Sequence, residues 1–132
     1  MSSVAVRRLV AGFAMACIVL GGAPATAAPP TSASEDIQYL LDAIERSGCE
    51  FYRNGSWYAA AEARSHLASK YRQVDKRRPV RSVEDFIDWV GTRSSMTGEP
   101  YRVRCAGSDA MTSAEWFRRE LERRPPSAVK FR

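Results

Sequence analysis

Apolar residues recur along this chain in alternating helical and strand periods. Ile37, Leu40, Leu41 and Ile44 fall at i, i+3, i+4 and i+7, one face of an α-helix. Ser32 with Glu35 three residues on makes a capping-box start and Gly48 a natural stop, so the pattern predicts a helix over 34–47. The period then shortens. Phe51-Tyr52 and Trp57-Tyr58 flank Asn54-Gly55, the dipeptide suited to a type I′ turn because both central residues take positive φ, which predicts a hairpin over 50–58. Ala60, Ala63, Leu67, Tyr71 and Val74 restore the helical period over about 59–74, with no N-cap residue ahead of them. After a polar connector (75–81) containing Pro79, Ser82 and Asp85 open a third helix ending near Arg93. Its apolar face is Phe86, Ile87 and Val90, with Val83 one turn earlier and Trp89 at the border. The hydroxyl-rich loop 94–100 leads into Tyr101–Cys105, whose alternation predicts a strand. Residues 106–111 read as a turn. Thr112 and Glu115 then start a last helix to about Arg124, with Trp116, Phe117 and Leu121 inward, and Pro125-Pro126 ends it.

Together these elements predict an α+β fold. About four α-helices pack around a small three-stranded antiparallel sheet, made of the hairpin 50–58 and the strand 101–105. The domain spans 34–125, and residues 126–132 form a frayed tail.

The first 27 residues do not fit that scheme. Arg7-Arg8 precede an apolar run from Leu9 to Leu20, and small residues follow to an Ala25-Thr26-Ala27 site, the layout of a secretory signal peptide. The apolar core is about a dozen residues, short of the roughly 20 that span a bilayer. Cys17 lies inside the run, where a lipidated cysteine would close it, and Val10-Ala11 lack the bulky pair of a twin-arginine signal. Residues 1–27 are therefore expected to be cleaved, leaving a flexible linker at 28–33 and no transmembrane segment. The expected location is the periplasm, with full secretion the alternative.

Export changes the reading of charge and of cysteine. Losing Arg7 and Arg8 takes Lys plus Arg from 20 to 18 against 15 acids, so the net charge falls from +5 to +3. That is too little to argue for a specific nucleic-acid partner, and the dense run Lys76–Arg81 reads as a solvated connector. In an oxidising compartment the two remaining cysteines, Cys49 and Cys105, argue for a disulfide. With one histidine they do not complete a metal site, and their spacing is not that of a Cys-x-x-Cys redox pair.

Several segments taken in order resemble a known family. They are Phe51-Tyr52-Arg53-Asn54-Gly55, then Glu62-Ala63 with His66-Leu67 and Lys70, then Glu84–Asp88, and Ser94–Tyr101 with Val103. This set resembles the YfeK-like family of small exported bacterial proteins of unknown function. The resemblance implies a single-domain periplasmic protein and brings with it no activity, ligand or catalytic residue.

Candidate chemistry gathers in two places. His66 and Lys70 are four apart on one helix face and, with Arg53 or Asn54 from the hairpin, make a polar spot for a ligand or partner. The plainer structural reading is a histidine hydrogen-bonded at the core edge with Lys70 extending past Tyr71. Ser94, Ser95, Thr97 and Tyr101 define the second place. This loop is similar to the Ser-Gly-x-x-Tyr-type loop by which some periplasmic lysozyme inhibitors enter their enzyme. A hydrolase centred on His66 with Ser94 or Ser95 is the weaker alternative, because no Gly-x-Ser-x-Gly elbow accompanies those serines. The expectation is a non-enzymatic binding or adaptor protein of the cell envelope. It has no catalytic residue, cofactor or metal, and its partner is an envelope protein or a cell-wall component.

Overall fold

The computed structural model describes residues 32–125 and, before them, positions 12, 21 and 22. Most of the expected signal peptide, most of the linker and the tail 126–132 lie outside the described residues. Helix α1 (Ala33–Ser47) begins at the Ser32–Glu35 capping box and stops at Gly48, whose φ of 62° is the left-handed value that favours glycine. Strands β1 (Glu50–Arg53) and β2 (Ser56–Ala59) follow, joined through Asn54 and Gly55 at φ 47° and 89°. Helix α2 (Ala60–Arg77) begins directly after β2, and its N-cap, Ala59, supplies no side-chain bond.

Helix α2 runs three residues past the expected end at Val74, taking Lys76 and Arg77 out of the connector. Arg78 then lays its guanidinium 3.3 Å from the centroid of the Trp89 ring, so part of the basic run is spent on packing. The third helix is also not uniform. Its first turn, α3 (Val83–Phe86), is α-helical, and Ile87–Gly91 is a π turn. Thr92 Oγ1 donates to the Ile87 carbonyl at 2.6 Å, a link five residues back that suits the wider turn. Periodicity of 3.6 and 4.4 residues cannot be told apart over five residues, which is why the sequence pattern predicts one continuous helix.

The sheet has four antiparallel strands in the order β2-β1-β3-β4, where three were expected. Strand β3 (Arg102–Arg104) pairs with β1, and β4 (Met111–Thr112) pairs with β3. The additional strand is two residues long and lies inside the stretch read as turn and cap. A period of two leaves no trace in two residues. Thr112 is both the last residue of β4 and the N-cap of α4 (Ser113–Glu122), where the Thr112–Glu115 capping box forms.

Register explains the disulfide. Glu50 lies opposite Arg104, so one step further Cys49 faces Cys105, with Cα atoms 4.4 Å apart and the sulfurs bonded. Helices α2 and α4 cover one face of the sheet, with α1 packed against both. Between them lie Ile37, Leu40, Ile44, Phe86, Ile87, Val90, Val103 and Phe117, all essentially without solvent exposure. Among the described residues no helix is long and apolar enough to cross a membrane.

Candidate functional site

Alternation on β1 sends Phe51 and Arg53 toward α2, and Phe51 pairs with Tyr58 on β2, so all three share the inner face. Phe51 pairs with Val103 on the other side, and continuing that register sets Tyr101 opposite Arg53. Because α2 starts immediately after β2, it folds back over this face and brings His66 and Lys70 to it. A half-open cleft of about 180 Å³ results, walled by Phe51, Tyr58, Ala63, Leu67 and Tyr101, with Arg53, His66 and Glu62 among its lining residues.

Four of the candidate residues meet in one polar chain. Arg53 donates from Nη1 to His66 Nδ1 at 2.6 Å, and its guanidinium lies 4.9 Å from the centroid of Tyr58. His66 Nε2 is 3.2 Å from the Tyr101 hydroxyl. Lys70 Nζ donates to that hydroxyl at 3.3 Å and to the carbonyls of Val90 at 3.0 Å and Arg93 at 2.5 Å. Lys70 is buried, with 8% of its surface exposed. It turns inward rather than extending past Tyr71, whose ring packs on Phe86 instead. Its three ammonium donors meet two carbonyls at the end of the π turn and one phenol oxygen.

Proton positions follow from what each group can do. Arginine only donates, and Arg53 Nη1 is nearer to His66 Nδ1 (2.6 Å) than to Nε2 (3.3 Å), so Nδ1 is assigned as the acceptor and the ring proton to Nε2, where it donates to Tyr101. Burial and then the neighbouring Arg53 and Lys70 charges hold the His66 pKa below its ordinary 6.5, so the ring is neutral at pH 7. Burial lowers Lys70 from 10.5 to about 8, leaving it predominantly charged at pH 7. Burial raises Tyr101, so the phenol keeps its proton. The Tyr101 oxygen thus receives two donors, and its own O–H is not spent on either.

The remaining candidates separate into a second group at the hairpin tip. Thr97 Oγ1 donates to Asn54 Oδ1 at 2.7 Å, and the Tyr52 hydroxyl donates to Glu99 at 2.8 Å, so the loop 94–100 is clasped onto the hairpin. Ser94 is buried at the loop base, where its hydroxyl accepts from the amides of Met96 and Thr97. Ser95 is exposed, and beside it Met96 is 91% exposed. Neither Ser94 nor Ser95 is among the hydrogen-bond partners of His66, whose ring nitrogens are taken by Arg53 and Tyr101.

Sequence reasoning did not single out Tyr58, Phe51 or Glu62 as site residues. The signal was present in the hairpin register, which puts Phe51, Arg53 and Tyr58 on one face once the Asn54-Gly55 turn is fixed.

The described domain is thus a small disulfide-bonded α+β module with an aromatic, arginine-bearing cleft between its hairpin and its second helix. The chain belongs to a family of unknown function (DUF5329), which matches residues 31–124 and bears out the resemblance drawn from the ordered motifs. It is similar to the uncharacterized protein YfeK of Salmonella typhimurium, with 38% identity over 66 residues. That match covers 49% of this chain and 53% of YfeK, so the chain spans about half the length of the curated relative it matches. No solved structure matches the chain.

Proposed function

We propose that this protein is a non-enzymatic binding domain of the bacterial cell envelope, with the cleft between β1 and α2 as its ligand site. The observation that carries this reading is the commitment of His66. Both of its ring nitrogens serve to hold Arg53 and Tyr101 in place, which leaves no free base beside a serine and does leave donors at a cleft with apolar walls. The predicted leader and the Cys49–Cys105 bond support an exported site of action. Titrating isotopically labelled protein with small-molecule envelope extract tests the reading. Selective shifts of the Arg53, His66 and Tyr101 signals are expected, and an unchanged spectrum with saturating extract would contradict it.

The loop 94–100 supports a second, adaptor-like surface, because Met96 carries a large apolar side chain almost wholly into solvent on a loop pinned by Asn54 and Tyr52. In its sharpest form this surface is the lysozyme-inhibitor-like loop. Lysozyme activity in the presence of excess protein decides that version: inhibition supports it, and full activity ends it.

A further inference from the structure

Resting on the binding reading above, we propose that the cleft takes a small apolar carboxylate, with the carboxylate on Arg53 and Tyr101 and the hydrocarbon part against Phe51 and Leu67. Three observations carry this. First, the polar groups of the chain that remain available are donors. Arg53 gives one N–H to His66 and keeps the others, and Tyr101 keeps its hydroxyl proton because His66 and Lys70 both donate to it. A site of unspent donors calls for an acceptor.

Second, among the described residues no ion pair takes Arg53, and the one carboxylate lining its cleft, the exposed Glu62, makes none with it. The guanidinium is also held in orientation, by His66 on one side and by the Tyr58 ring. A planar fork fixed in this way suits a planar carboxylate, which it binds through two parallel N–H bonds. Third, the volume of about 180 Å³ is close to that of a cavity that holds one benzene-sized group, and the walls there are aromatic or aliphatic. The exposed Glu62 lines the same cleft, and as an anion it disfavours a carboxylate near its own end.

The test is a titration of the purified full chain with phenylacetate, followed by the side-chain signals of Arg53 and His66. Benzyl alcohol and acetate serve as controls that lack the charge or the ring. Saturable binding of phenylacetate is expected, at least tenfold tighter than either control. Arg53→Gln abolishes it, Tyr101→Phe weakens it severalfold while keeping the ring, and Glu62→Gln strengthens it. Arg53→Lys, which keeps the charge and loses the fork, falls between wild type and Arg53→Gln. Equal binding of benzyl alcohol, undiminished binding by Arg53→Gln, or no response to phenylacetate would each overturn the assignment. If envelope extract still shifts the cleft signals while phenylacetate does not, the carboxylate assignment fails and the binding reading stands.

Discussion

Lys70 shows how one side chain ties a helix terminus to the site. Carbonyls at a helix end have no intrahelical donor, and those of Val90 and Arg93 face a buried ammonium. Lys70→Met keeps most of the apolar stem and removes the donors, so it is expected to cost about 1–3 kcal/mol, the desolvation cost of groups left unsatisfied. The pH dependence has a definite sign. Lys70 has a folded pKa of about 8 against an ordinary 10.5, so above pH 8 the unfolded chain binds more protons and stability rises with pH. Denaturant unfolding between pH 8 and 9, where tyrosine with its ordinary pKa of 10 is still largely protonated, should show that rise, and Lys70→Met should flatten it. Gly91 is a second decisive residue. A Cβ there would lie 2.7 Å from Phe117 Cε2, and Phe117 is fully buried. Helix propensity favours alanine by up to about 1 kcal/mol, while overpacking a closed core costs about 1–3 kcal/mol. Gly91→Ala should therefore lower the denaturant midpoint, and a higher midpoint would show that the contact yields. Neither role was legible in the sequence. Lysine sits at an ordinary place on a helix, and the partners of both residues come from elements 20 or more positions away.

At the scale of elements, local rules carried most of the fold. The caps at Ser32 and Thr112, the stop at Gly48, the Asn54-Gly55 turn and the strand alternation all concern neighbours in the chain, and each formed as read. What escaped was set by distant packing: the π turn at Ile87–Gly91 and the short edge strand β4, which exists because β3 offers it a partner. The candidate site was half legible for the same reason. Arg53, His66, Lys70 and Tyr101 stood out by residue type, but their convergence needed the sheet register. The disulfide closes that register between the start of β1 and the end of β3. Its loop of about 57 residues corresponds to roughly 4 kcal/mol of lost chain entropy in the unfolded state. Reduction, or Cys49→Ala with Cys105→Ala, should lower the melting midpoint by a correspondingly large margin. A shift of a degree or two would mean that the sheet holds its register unaided.

For the whole molecule, the expected leader and the described domain make a joint prediction. Expressed in a bacterial host, the protein should be recovered from the periplasmic fraction with its N-terminus at Ala28 and both remaining cysteines oxidised, as mass spectrometry of the intact chain would read. A full-length reduced chain held in the cytosol would contradict that expectation. The domain itself is organised so that the hairpin, its directly attached helix and the third strand enclose the cleft. The polar chain from Arg53 to Lys70 then fixes its lining from one side to the other. The state of His66 is the most direct test of that arrangement, and nitrogen NMR of the imidazole reads it at pH 7. A neutral ring protonated at Nε2, with Nδ1 accepting from Arg53, is the predicted result. An imidazolium, with no ring nitrogen left to accept from Arg53, would mean that Arg53 is not held there and that the cleft is not built as described.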